Sequence, residues 1–168
     1  FENCSKLKSL NISNFNIELI SNMDSLSKGC KELASLDLKN FGDSLVNLTT
    51  IMFYDCESLS YLDISNFNMS KVTNTSHMFY NCKSLNSLKL TNKFNTDSVT
   101  DMSYMFYHCE LLQDLDLTKI NTKNVINMKS MFDNCRSLTK LDIKNFETEK
   151  VTDMSYMFMN CSEINDNL

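Results

Sequence analysis

Seven cysteines stand at Cys4, Cys30, Cys56, Cys82, Cys109, Cys135 and Cys161, at intervals of 26, 26, 26, 27, 26 and 26 residues. A fixed period of this size confines a chain to a stack of similar coils. One unit cannot bury its own apolar side and must be covered by the next. Other columns keep the same step. Three residues after each cysteine come Leu7, Leu33, Leu59, Leu85, Leu112, Leu138 and Ile164; six after come Leu10, Leu36, Leu62, Leu88, Leu115 and Leu141. Eight after come Ile12, Leu38, Ile64, Leu90, Leu117 and Ile143, followed by Phe15, Phe41, Phe67, Phe94, Ile120 and Phe146. The unit closes on Met78-Phe79, Met105-Phe106, Met131-Phe132 and Met157-Phe158, and the extra residue of the longer interval falls near Lys93.

The consensus C-x-x-L-x-x-L-D-L-x-N-F contains the L-x-x-L-x-L core of a leucine-rich repeat. In Leu62-Asp63-Ile64 the alternation has a period of two, which predicts a short parallel strand with the leucine side inward. The spacing of V-x-x-M-x-x-M-F suits a short helical or 3-10 turn on the other side. Asn22, Asn74, Asp101, Asn127 and Asp153 precede it as N-caps. The second unit has Leu48 and Thr49 at those positions, so that coil should be irregular. The expected fold is an α/β solenoid: a leucine-rich-repeat-like right-handed superhelix of about 26 residues per repeat. Its parallel sheet lies on the concave side and its short helical or 3-10 turns on the convex side. A helical layer would force curvature; a layer of turns would leave the stack nearly straight. Residues 1–168 are expected to form a single solenoid domain of six full repeats and a partial seventh. The chain starts at Phe1, already inside the pattern, and is read as a fragment of a longer parent.

There is no Pro or Trp, and Gly29 and Gly42 are the only glycines. Tight turns with positive φ would normally need more glycine, so the corners are assigned to Asn, Asp, Ser and Thr. The net charge of −5 argues against nucleic-acid binding, which needs a basic face. No apolar run is long enough to span a bilayer.

The columns absorb most residues that could carry chemistry. No cysteine pair has close zinc-ligand spacing, which favours a ladder of buried thiols over disulfides or a metal. His108 adjoins Cys109, but sequence neighbours seldom face one another, and no catalytic motif is present. No cofactor, metal site or catalytic residue is expected. The Asn column at Asn14, Asn40, Asn66, Asn92 and Asn145 is assigned to tying corners together. What varies within a constant frame is the outward side of the strands, where Asp37, Tyr61, Asp63, Lys89, Asp114, Asp116, Lys140 and Asp142 are the candidate binding residues. Tyr61 is the aromatic anchor of a mildly acidic face, and Lys89 is placed to relieve repulsion between Asp63 and Asp116. A solvated sheet face with no partner is the other reading of these residues.

The segments MSYMFYHCELLQDLDL, SMFDNCRSLTKLDIKNF and VTDMSYMFMNC resemble the BspA-like leucine-rich-repeat surface proteins of bacteria and some protists, and the resemblance covers essentially the whole chain. Leu26-Ser27 and Gly29 depart from its Met-Phe-x-x-Cys junction. The resemblance implies a secreted or cell-surface location and a non-enzymatic interaction or adhesion role, with a protein or glycan partner. A structural spacer or filament component is the alternative. Uncapped ends would add end-to-end self-association.

Overall fold

The computed structural model describes residues 1–38, 41, 46–91 and 94–165. Asn40, Gly42, Asn92 and Lys93, which the sequence singles out, lie outside the described residues. Six short strands follow one another: β1 (Ser9–Asn11), β2 (Ser35–Asp37), β3 (Tyr61–Asp63), β4 (Ser87–Lys89), β5 (Asp114–Leu115) and β6 (Lys140–Leu141). They pair in parallel as β1–β2, β3–β4 and β5–β6, with Leu10 opposite Leu36, Leu62 opposite Leu88 and Leu115 opposite Leu141. The single six-stranded sheet implied by the repeat is thus three abutting pairs. Between pairs the backbone still bonds, Ser58 N–H to Lys31 C=O at 3.0 Å and Leu111 N–H to Lys83 C=O at 3.2 Å. The second break coincides with the 27-residue interval.

The side expected to be helical is not. Among the described residues no α-helix forms, and the Met-Phe segments contain no 3-10 helix. Each Met-Phe segment is instead a chain of hydrogen-bonded turns. In one coil Met78, Tyr80 and Cys82 donate to the carbonyls of Thr75, His77 and Phe79. The alternate N–H groups of His77, Phe79 and Asn81 reach across to Ser103, Met105 and Tyr107 of the next coil at 3.0, 2.9 and 2.7 Å. A helix would spend all its N–H groups internally. Here half are left to join neighbouring coils. Both sides of the stack therefore advance by one hydrogen-bonded spacing per coil, and there is no helical layer to force curvature.

These turns also overturn the expectation that sparse glycine means sparse positive φ. Ser25, Ile51, His77, Tyr104, Ser130 and Tyr156 form one left-handed column; Asn3, Gly29, Asp55, Asn81, His108, Asn134 and Asn160 form a second, just before each cysteine. Each stands third in its turn, where a type II geometry requires positive φ. The second column holds residues that tolerate this region; the first includes Ile51 at φ 50° and Tyr104 at φ 56°, which do not.

The Asn and Asp side chains turn the corners, as Asx turns rather than helix caps. Oδ1 of Asn22, Asn74, Asp101, Asn127 and Asp153 accepts the N–H two residues on at 2.7–3.0 Å. A second corner is held the same way by Asn16, Asn68, Asn95 and Asn121. The second unit has no such acceptor. Leu48 is exposed there, and Thr49 Oγ1 is buried without a partner. The backbone ladder nonetheless runs through that unit, with Ile51 bonded to Ser76 and Phe53 to Met78.

Stacking makes the core a set of rows. Phe53, Phe79, Phe106, Phe132 and Phe158 lie in parallel at 5.3–5.6 Å. Each buried ring contributes about 1.5–3 kcal/mol relative to exposure. All seven cysteines are free thiols. They are more than small hydrophobes. Cys56, Cys82, Cys109 and Cys135 donate S–H to the carbonyls of Ser27, Phe53, Phe79 and Phe106 in the preceding coil at 3.1–3.2 Å.

Burial pushes the Cys56 thiol up to about 12, and raises Cys82, Cys109 and Cys135 well above the ordinary thiol range. Their stabilising effect is complete below the unfolded thiol pKa near 9 and is lost as pH rises toward the folded values. Urea midpoints should therefore fall steadily above pH 9, while a thiol reagent at pH 8 labels exposed Cys4 and spares these four until the chain unfolds. Tyr156 is exposed and left-handed at φ 60°. Tyr156→Asn should raise stability by about 0.5–1 kcal/mol. Gly29→Ala should lower it by about 1–2 kcal/mol, its Cβ meeting Asn3 Oδ1 as well.

Candidate functional site

The strand face is built by the period-two alternation: Leu36, Leu62, Leu115 and Leu141 are buried, and the residues before and after them face outward. At β1–β3 it forms a cleft of about 530 Å³ lined by Ser9, Asn11, Asp37, Tyr61 and Asp63 over a floor of Leu10, Ala34, Leu36 and Leu38. Of the eight residues singled out by sequence, the structure places Asp37, Tyr61 and Asp63 here. Lys89 joins them through Asp63, Nζ to Oδ2 at 3.1 Å, which is the Asp63 half of the charge relief expected of it. Tyr61 is 50% exposed, with its hydroxyl 3.4 Å from the same carboxylate.

The remaining four lie apart from the cleft. Asp114 and Lys140 form a loose, exposed pair at 3.8 Å. Asp116 and Asp142 serve the backbone: Oδ1 of each accepts an N–H two residues on, from Thr118 at 2.9 Å and Lys144 at 3.1 Å. Asn11 and Asp63 do the same for Ser13 and Ser65. The acidic central column is thus a row of corner acceptors before it is anything else.

That role depresses the titration of Asp116 and Asp63. The Thr118 hydroxyl and then its N–H hold the Asp116 carboxyl below the ordinary range. Burial alone would raise Asp63, but the hydroxyl and N–H of Ser65 with the Lys89 ammonium outweigh it.

A second cluster was not singled out by the sequence reading. Tyr54, Tyr80 and Tyr107 stack at 4.5 and 4.6 Å on the turn face, and His77 stacks on Tyr104 at 4.8 Å. All are half-buried. The available signal was a step of 26 and 27 residues between the three tyrosines, in the period already established. His77 is held below the usual imidazole range by burial, partly opposed by Asp101. His108 and Cys109 form no dyad. The imidazole Nδ1 lies 3.4 Å from Glu110 Oε1, whereas the buried thiol donates to Phe79. No group of three His, Cys, Asp or Glu side chains among the described residues could hold a metal ion, and no helix among them is long and apolar enough to cross a membrane.

The family model described as Mycoplasma protein of unknown function, DUF285, matches residues 1–92 and again 87–168. The chain belongs to this family. No curated protein sequence matches it. The crystal structure of a leucine-rich-repeat protein from T. pallidum is similar with a TM-score of 0.63 at 21% identity, over 99% of this chain and 69% of that one. A leucine-rich-repeat protein from Eubacterium ventriosum is similar with a TM-score of 0.51 at 17% identity, over 86% of this chain and 34% of that one. At such identities the likeness establishes the fold: a leucine-rich-repeat solenoid with short parallel strands.

If Asp116 is first a corner acceptor, Asp116→Asn, which keeps an oxygen there, should cost less than Asp116→Ala, and the latter no more than about 1 kcal/mol, given its exposure. The carboxylate's contribution is present above the unfolded pKa and lost as pH falls through the lower folded one. The deficit of Asp116→Ala against wild type should therefore close on acidification from pH 7 to pH 2, read as unfolding midpoints.

Proposed function

We propose that this chain is a non-catalytic interaction module of a surface or secreted protein, engaging a protein or glycan through its strand face. The observation that carries the reading is the cleft at β1–β3. It combines an apolar floor, a half-exposed tyrosine and two carboxylates, the mixture found where a few anchors dominate recognition. The rows of Cys, Leu, Met and Phe are occupied as core, which leaves few side chains for catalysis. The resemblance of the MSYMFYHCELLQDLDL segment to BspA-like surface proteins supports a cell-surface or extracellular setting and an adhesive role.

Beads coated with the chain should adhere to an extracellular-matrix coating or to cultured cells. Tyr61→Ala should reduce adhesion at least about tenfold without changing the melting temperature. Asp63→Asn, which keeps the corner acceptor and removes the charge, separates the ligand role from the structural one. Coated beads that adhere no better than bare ones would sink the reading.

A second reading, a stacking or spacer component, has its own support. The terminal coils expose apolar side chains, with Phe1, Phe15 and Leu19 on the first and Met154, Tyr156 and Met159 on the last. On that reading the chain associates end to end. Sedimentation should then show concentration-dependent growth that Leu19→Lys with Met154→Lys abolishes; a single monomeric boundary at high concentration counts against it.

A further inference from the structure

Four of the six tyrosines and both histidines gather on one patch of the turn face, spread over three successive coils. The repeat does not ask for them. Two residues before each cysteine the chain has Glu2, Lys28, Tyr54, Tyr80, Tyr107, Asp133 and Met159, so charged, aromatic and aliphatic side chains all satisfy the coil. In the first left-handed column, Ser25 and Ser130 do for the backbone what His77 and Tyr104 do. Bulky side chains are nevertheless held at φ 57° and 56°, an unfavourable conformation of the kind that proteins retain where a side chain must be presented.

The geometry limits what the patch can offer. Tyr80 is stacked on both faces, by Tyr54 and Tyr107, so ring faces are largely consumed by one another. What the stack leaves for a ligand is ring edges and phenolic oxygens. Carboxylates border the rings. Asp55 accepts from Asn81 Nδ2 at 2.7 Å, and Glu110 Oε1 lies 3.4 Å from His108 Nδ1. Two nearby cations are engaged, Lys28 with Glu2 at 3.0 Å and Lys83 with Glu57 at 3.0 Å. A patch of acceptor oxygens and carboxylates around a pre-ordered aromatic stack complements a planar group that only donates.

We propose that the turn face formed by Tyr54, His77, Tyr80, Tyr104 and Tyr107 is a docking surface for an arginine-rich protein segment, whose guanidinium groups bond the phenolic oxygens and the bordering carboxylates. It shares no residue with the strand-face cleft and stands independently of the role proposed for that cleft.

The probe is a fluorescein-labelled peptide of alternating Arg and Ser, titrated by anisotropy at physiological ionic strength. Saturable binding is expected, weakened at least about tenfold by combining Tyr80→Ser with Tyr107→Ser. Tyr61→Ala and Asp116→Asn, which touch only the strand face, should leave it unchanged. Should the serine variant fail to fold by circular dichroism, Tyr80→Phe with Tyr107→Phe keeps the stack and removes both hydroxyls, and the same direction of loss is expected. Equal loss on Asp116→Asn would mean mere attraction to the net charge and overturn the proposal. So would unchanged binding to a folded Tyr80/Tyr107 variant, absence of saturable binding, or retention of a glycan panel by this face in place of the peptide.

Discussion

Everything else in this molecule depends on backbone hydrogen bonds between successive coils, made on two sides at once. On the turn side, the N–H groups of one coil alternate between closing their own turns and reaching the next coil, as Tyr80 and Phe79 do for His77 and Met105. On the strand side, Glu32, Ser58, Ser84, Leu111 and Ser137 each donate back to the preceding coil. With both sides tied at one spacing, identical positions are forced into line. A column must then hold side chains that tolerate a copy of themselves directly above and below.

That constraint selects the rows. Phenylalanine suits it because flat rings 5.3–5.6 Å apart fill the interval left by the backbone. Cysteine suits its column for a different reason. The site is small and fully buried, and the carbonyl of Ser27, Phe53, Phe79 or Phe106 lies one coil back within reach of a donor. Alanine would fit without donating. Serine would donate from a more polar and shorter side chain. Oxidation is not needed to explain the buried part of the column, since the sulfurs of Cys56, Cys82, Cys109 and Cys135 are each committed to a carbonyl.

Much of this could be read from the residues, because periodicity reports burial directly. The Leu and Phe columns, the short strands at Leu62 or Leu115 and the structural thiols all follow from the step of 26. The backbone conformation of the turn side did not, because an M-x-x-M-F spacing suits a helix and a chain of turns equally. Half of the answer was nevertheless present in Asn3, Gly29, Asp55, Asn81, His108, Asn134 and Asn160, a column of residues that accept positive φ. The other half was hidden, since Ile51 and Tyr104 sit where neighbouring coils compel them against their own preference. The outward strand residues were located correctly as outward. What periodicity does not report is that the oxygens of Asp116 and Asp142 also bond a backbone N–H two residues away. The tyrosine cluster was legible only by asking which aromatic residues recur outside the core columns.

The partners that join one coil to the next lie about one period apart, at separations of 24 to 30 residues. Closing such a loop costs about 3 kcal/mol of chain entropy beyond a constant, and every further coil incurs the same sum rather than a larger one. Folding therefore has no distant pairing to wait for. A first pair of coils is the expensive step, and either edge of that pair is then a template on which the next coil can form. The strained left-handed residues weigh on this growth unevenly. A coil carrying Ile51, Tyr104 or Tyr156 is harder to add than one carrying Ser25 or Ser130, so growth should not proceed evenly along the stack.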